Sequence, residues 1–568
     1  MRRALVHAMY LGLSLLFASR FFPLTHPTSF AVSEGDPALM AWSLQWMSHA
    51  LVHAPAHLFA GNAFFPYQHA VVLSDSMLSL AILNVPVRFF TTNPWVGYNL
   101  LVVLAYYLSC VWGAWLAREM TGSEIASVWA GVFWGFIFFR VHHIGHPQMF
   151  SYQAIPAVAA ASLRFWKKPA TATALLVAVL FVAQALVSWY LAFIEAVILL
   201  VFALCQPWQI VFARRALVYY VLISAVVVAA LLPVALPYRT AFTDSTLADR
   251  HALVNSFGDA VHLADYLTPP SPTVAGHLIA DNRYGIWGEN TLYIGYVALL
   301  LSIAAVVASF GPRSRAPEGG PFVRRMLLTG IALMMVGYVF SLGFVSPSLG
   351  IPLPLHYLAR LVPSIAGLRA TQRFALVIYM GVLLLSTSGL AWLVKNRSIG
   401  QQALICAVVC GLFVLEVFPF TLPIHADTPY ELSAPDRAIA SYQRSRATPL
   451  VVLHLPINYF REPYPVSEAT YMVDSTAHWA HILNGFSGGV PQGFMERMTI
   501  LNALPDQKAV TLLMELGVDV VALHRGETRK ETLIQFFDRQ PWATISSLPT
   551  GEYVVLIDHG HNQKTGSR

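Results

Sequence analysis

Long apolar runs, separated by short polar loops, dominate the first 420 residues. Eleven of them predict helices that enter lipid, where every backbone polar group must be satisfied within the segment. They are Leu5–Phe22, Pro94–Ala117, Ile125–Phe139, Phe150–Leu163, Thr171–Val187, Trp189–Leu204, Ala216–Leu236, Thr291–Phe310, Met326–Phe344, Phe374–Val394 and Ala403–Phe418. Several are short and need neighbours or local thinning of the bilayer. A twelfth run, Met77–Phe90, is broken by Asn84, Pro86 and Arg88 and predicts an interfacial helix. Ala38–His53 places Leu39, Trp42, Trp46 and His49 at helical spacing, which predicts an amphipathic helix. After about Thr421 the pattern changes. Short β-type runs such as Leu450–Leu453 and Tyr553–Ile557 alternate with helical stretches such as Asp506–Leu516, and charge returns. The expected architecture is an all-α polytopic membrane module over residues 1–420, with an outer loop at 23–93 and a long outer loop at 237–290. A small α/β domain follows at 421–568.

Composition narrows the class. Of 568 residues, 56% are hydrophobic and 11% charged, against about 25% charged in soluble proteins. Mean hydropathy is +0.58. A soluble enzyme, a disordered chain and a coiled coil are excluded as descriptions of the whole. The net charge of +6 fits basic cytoplasmic loops; no basic stripe is interleaved with aromatics, so no nucleic-acid partner is expected. Arg2-Arg3, Lys167-Lys168, Arg214-Arg215, the Arg313–Arg325 loop and Lys395/Arg397 place those loops inside. The N-terminus is then cytoplasmic and the C-terminal domain extracytoplasmic. No small-residue cleavage site follows the first run, so it reads as a retained span. The four cysteines lie in apolar runs and no disulfide is expected.

Candidate chemistry gathers at the outer ends of spans. Ser33-Glu34-Gly35-Asp36-Pro37 follows the first span, and Asp75 lies further along the same loop. Two carboxylates separated by glycine suit a divalent cation or a general base. On spacing alone, Asp36 before Pro37 reads better as a helix N-cap. The layout as a whole tips this. An acidic pair after the first span, two interfacial helices and an outer C-terminal domain resemble the GT-C superfamily, membrane glycosyltransferases that take sugars from polyprenyl-phosphate carriers. The likeness is closest to a bacterial branch with stretches like Tyr67–Leu83, Arg140–Gln148 and Leu368–Phe374. The resemblance implies Asp36 as general base with Glu34 beside it, inversion at the sugar, and a bacterial inner membrane location. It also implies a polyprenyl-phosphate-linked donor, a glycan, lipid or protein acceptor, and a divalent cation (Mg or Mn) as the candidate cofactor. The second acidic residue that many relatives carry in the next outer loop is missing. Arg140, His142, His143, His146 and Gln148 stand there instead.

Other residues invite roles. Arg369 and Arg373, four apart at the mouth of a span, suit a phosphate grip or a lipid-headgroup contact. His142 and His146 have zinc-ligand spacing, but with no third ligand nearby they read as cavity wall, and the His49/His53/His57 series reads as ordinary interfacial histidine. Glu195, inside a span, marks a functional site by default, with a hydrogen bond to Gln184 or Tyr190 as the structural alternative. Glu416 reads as interfacial. Tyr284 and Trp287, in Tyr284–Asn290, suit sugar stacking. The rival functions are a transporter or flippase using Glu195 as proton relay, and a non-catalytic assembly subunit. The lack of repeated halves weighs against the transporter.

Overall fold

The computed structural model describes residues 2–30, 34–247, 261–279, 288–310, 320–346, 349–362, 365, 367–368, 370–422, 429–462 and 464–560. The chain folds as two compact units, each assembled from three stretches. The first comprises Met1–Leu24, Leu100–Pro233 and Arg250–His425; the second comprises Thr25–Asn99, Val234–Asp249 and Ala426–Arg568.

The first unit is helical. Across the described residues of the chain, six helices are long and apolar enough to cross a membrane: Pro94–Thr121, Glu124–His142, Arg214–Thr243, Phe322–Ser341, Thr371–Val394 and Ile399–Val417. Five shorter apolar helices accompany them, among them Arg3–Ala18, Thr171–Ala185 and Trp189–Leu204. The expected Phe150–Leu163 span is a 13-residue helix, Ile155–Lys167, too short to cross unaided. Thr371–Val394 and Glu124–His142 are 94% and 89% buried over their most apolar stretch, whereas Arg214–Thr243 is 6% buried. The first two are therefore central, and the third offers its apolar side chains to lipid. Small residues let the central helices close. A methyl on Gly381 would lie 2.5 Å from the Gly330 carbonyl, and one on Gly389 would lie 2.0 Å from that of Leu301. Trp129 donates to Ser386 Oγ at 3.0 Å across the core. Glu416 is an N-cap in trans: it accepts from the Tyr296 and Val297 N–H groups at 2.5 and 3.2 Å and from the Tyr293 hydroxyl. These are orphan donors at the start of the Tyr296–Phe310 helix.

The second unit contains the expected sheet. Strands β1 (Val451–Leu455), β2 (His481–Ile482), β3 (Val520–Leu523), β4 (Ala543–Ser547) and β5 (Tyr553–Ile557) lie in the order β2-β1-β3-β5-β4. β1 pairs parallel with β2 and β3, and β5 pairs antiparallel with β3 and β4. The loop after the first apolar helix folds with this domain. Residues 62–65 extend the sheet beyond β2, through Ile482 N–H to Asn62 O at 2.7 Å, Phe65 N–H to Ile482 O at 3.0 Å and Phe64 N–H to Asn484 O at 2.9 Å. The Asp36–His53 helix packs on the Ser467–Ser475 helix. It is buried on every face from Pro37 to Ser48, so it is a core helix rather than an amphipathic one. Its polar side chains are used internally: Asn84 donates to Ser48 Oγ, Arg88 to Gln45 Oε1, and Trp42 to Asn62 Oδ1. The Met77–Phe90 run forms the 11-residue helix Leu78–Arg88, too short to cross a bilayer.

Candidate active site

In the second unit the acidic pair sits at the start of the Asp36–His53 helix. The N-cap position belongs to Gly35, at φ 63° and ψ −132°, which has no side chain to bond the first turn. That backbone conformation suits glycine alone among the common residues. The helix thus begins one residue earlier than cap chemistry at Asp36 requires, and capping does not account for Asp36. Glu34 and Asp36 are both exposed. Asp36 acts electrostatically on Tyr98, which closes a ring cluster with Phe30 and Trp95; Phe30 and Trp95 stack at 5.4 Å, and Tyr98 lies 4.7 and 5.5 Å from them. Asp75 is half-buried. The Tyr238 hydroxyl clamps the backbone on either side of it, donating to Ser74 O and accepting from Ser76 N–H.

In the first unit a second polar group forms around Glu289. Arg373 donates to both its carboxylate oxygens, at 2.6 and 3.3 Å. His143 Nε2 faces Glu289 Oε2 at 3.4 Å. His142, His143 and Glu289 offer ligand atoms within 4.8 Å of one another. His143 Nδ1 lies 2.9 Å from the Phe139 carbonyl, an acceptor only, so the ring proton is on Nδ1 and Nε2 carries the lone pair. Burial, against the pull of Glu289, lowers the His143 pKa, so the ring is neutral near pH 7. Burial would also raise Glu289, but the Arg373 guanidinium outweighs it and holds the carboxyl well below its usual range. His143 Nε2 has no hydrogen-bond partner among the described residues, while the Arg373 guanidinium balances the Glu289 charge. Arg373 also lies over the Tyr190 ring at 5.5 Å, and the Tyr190 hydroxyl donates to Ala370 O at 2.5 Å.

The remaining expected residues take different places. Arg140 is fully buried and donates to Phe150 O and Ser109 Oγ, both at 2.6 Å, with its guanidinium 4.0 Å over the Tyr152 ring. It fastens the turn between residues 140 and 152. His142 is buried and His146 half-buried. Glu195 is fully buried and neither carboxylate oxygen has a hydrogen-bond partner among the described residues. The expected Gln184 and Tyr190 bonds are absent: Gln184 bonds the Ser151 and Ala154 backbone instead. Tyr284, Trp287 and Arg369 lie outside the described residues. Sequence reasoning missed Glu289, whose only signal was a carboxylate at the end of an aromatic run, 146 residues beyond His143.

The family model described as "Domain of unknown function (DUF6311)" matches residues 9–417. No curated protein matches the chain in sequence. Among solved structures, the arabinofuranosyltransferase AftD from Mycobacteria matches with TM-score 0.54 and 13% identity, over 98% of this chain and 42% of AftD. The chain therefore spans well under half the length of that structure. The oligosaccharyltransferase AglB from Archaeoglobus fulgidus matches with TM-score 0.46 and 10% identity, over 97% of this chain and 74% of AglB. The AftD likeness shows a shared fold.

Proposed function

The chain belongs to the DUF6311 family, and we propose that it is an inverting membrane glycosyltransferase working at the outer face of a bacterial inner membrane. The observation that carries this reading is a fold shared over 98% of the chain with an arabinofuranosyltransferase. The donor is a polyprenyl-phosphate-linked sugar and the acceptor a hydroxyl of a glycan, lipid or protein. Asp36 accepts the proton of the acceptor hydroxyl. The acceptor oxygen then bonds the anomeric carbon on one face while the carbon–oxygen bond to the polyprenyl phosphate breaks on the other. The leaving group is a phosphate that is already stable as an anion, so the protein's part is to orient the acceptor and balance charge. Asp36 suits the role because it is exposed and lies one residue past the N-cap position, which Gly35 holds. Glu34, Asp75, His142, His143, His146, Arg369 and Arg373, with Tyr284 and Trp287, are the proposed donor and acceptor contacts. Glu34 and Asp36 offer the oxygen donors that Mg or Mn prefers and would hold such an ion, which would neutralise phosphate charge. The His142–His143–Glu289 group fits one poorly, because Arg373 already occupies both Glu289 oxygens. The eleven-span topology, with the N-terminus inside and the C-terminal domain outside, belongs to the same proposal.

A second reading rests on Glu195. A fully buried carboxylate without a partner inside an apolar helix suits a proton-coupled transporter. One experiment separates the two. Purified full-length protein and Asp36→Asn are assayed for transfer from a panel of radiolabelled polyprenyl-phosphate sugars. Turnover that drops at least ~100-fold in Asp36→Asn, with an unchanged unfolding temperature, is expected. No turnover from any donor, together with carrier flux in liposomes that is lost in Glu195→Gln, overturns the transferase and supports transport.

A further inference from the structure

The C-terminal sheet holds a second polar cluster that the transfer reaction does not use. Asp436 lies on the Ala434–Arg444 helix, His454 is the fourth residue of β1, and His524 directly follows β3. Both histidines stand at the carboxyl ends of adjacent parallel strands. From β1 the chain goes on to β2 on one side of it, and from β3 it goes on to β4 and β5 on the other. In an open α/β sheet this is the topological switch point, where ligands bind.

The three residues offer ligand atoms within 4.8 Å of one another; Asp436 and His454 are fully buried and His524 is half-buried. His454 Nδ1 meets His524 Nε2 at 2.9 Å. His454 Nε2 lies 3.9 Å from Asp436 Oδ1 and has no hydrogen-bond partner among the described residues although the residue is fully buried. His524 Nδ1 lies 3.7 Å from Glu552 Oε1. The line is therefore carboxylate, imidazole, imidazole, carboxylate, with three gaps to fill. In their neutral forms two imidazoles carry one ring proton each, two for the three gaps. If His454 donates to His524, its own Nε2 lone pair faces Asp436. If His524 donates to His454, the His524 lone pair faces Glu552. In either arrangement one ring lone pair points at a carboxylate, the geometry that a cation bound between them would satisfy.

We propose that Asp436, His454 and His524 bind one divalent cation of the zinc class. Two nitrogens and one carboxylate are a standard donor set for such an ion. Closing the Asp436–His454 gap by a few tenths of an ångström and turning His524 from its bond to His454 completes the ligand set. The outer partners are already in place. His478 Nε2 donates to Asp436 Oδ1 at 3.0 Å, its proton fixed there because His478 Nδ1 accepts from Ala480 N–H. Ser433 Oγ donates to Asp436 Oδ2 at 2.5 Å, and Glu552 backs His524. Such partners orient metal ligands. The ion would tie the helix before β1 to the ends of β1 and β3.

The test uses the full chain purified in detergent and does not read sugar transfer. The metal is stripped with chelator, zinc is titrated back, and zinc content and unfolding temperature are measured. About one equivalent per chain is expected, with a higher unfolding temperature on zinc addition. His454→Gln and His524→Ala should lose affinity by more than about 100-fold, while His559→Ala, in the same unit but outside the cluster, should retain it. Wild-type protein that takes up no more zinc than His454→Gln, with no change in unfolding temperature, overturns the proposal. Should both variants fail to fold, cobalt added to the stripped wild type decides. The visible bands of a tetrahedral nitrogen–oxygen site at one equivalent support the proposal, and their absence overturns it.

Discussion

One residue reports on its surroundings by titration, and an ion pair reports by charge. His49 stacks on Trp479 at 4.2 Å and on His53 at 4.5 Å. Burial, with His53 and Arg88 nearby, lowers its pKa from 6.5 to about 4. A base with a lowered native pKa gives stability that is complete above pH 6.5. That stability is lost as pH falls from 6.5 toward 4, where the unfolded chain takes a proton that the native ring refuses. Unfolding measured from pH 7 to pH 4 should therefore show wild type losing more stability than His49→Gln. The excess should stay below about 1.4 kcal/mol per pH unit, because the ring is partly exposed and screened. Glu289 and Arg373 report by charge. Glu289→Gln and Arg373→Gln should each destabilise, and the double variant should cost less than their sum, with a coupling of about 1–3 kcal/mol in a thermal double-mutant cycle. Additive effects would show that the pair is screened. These residues also mark the limit of reading sites from sequence. The His142–His146 spacing was visible, but the carboxylate that faces His143 is 146 residues away, and no local pattern encodes that distance. Conversely, Asp36 and Pro37 form a local cap signature, yet the positive φ of Gly35 moves the cap by one residue.

At the scale of elements, apolar runs translate well into helices because a bilayer leaves the backbone no other choice. Lengths translate less well. The five apolar helices of 10–17 residues are shorter than a bilayer needs, since burial against neighbours substitutes for length. The core placement of Asp36–His53 was not legible either. Tryptophans at helical spacing describe an amphipathic surface helix and a buried helix equally, and Ser48 and Gln45 are tolerated inside because the Leu78–Arg88 helix brings them partners. The entry to that helix is testable. A Cβ at Gly35 would meet Val466 Cγ1 at 3.1 Å, and its φ is +63°. Gly122 has a similar φ of +68° and nothing within 4 Å. Gly122→Ala should cost only the backbone strain, about 1–2 kcal/mol. Gly35→Ala should cost that and the clash, about 2–3 kcal/mol, and lower any Asp36-dependent turnover. Equal melting shifts for the two would show that Val466 gives way freely.

For the whole molecule, the sequence displayed a membrane module followed by a tail. It did not display that the loop after the first span folds with that tail, because the contacts join segments about four hundred residues apart. The dependence is physical. β2 is two residues long and lies at the sheet edge, and residues 62–65 cover its open side with three backbone hydrogen bonds. Phe64 packs edge-on against Phe494 at 4.9 Å and presses on Gly485, where even a methyl would lie 2.6 Å from its ring. Asn62 donates to Ser475 Oγ and Ala480 O. Without the loop, an unpaired edge and an apolar groove face solvent, the condition under which sheets join edge to edge. Residues 426–568 expressed alone should therefore be insoluble or form oligomers, although they carry all five strands. The full chain in detergent should show the 25–99 segment protected from protease. A soluble, monomeric 426–568 fragment with a cooperative thermal transition would mean that the sheet closes its own edge. Residues 25–99 would then be a cover rather than part of the fold.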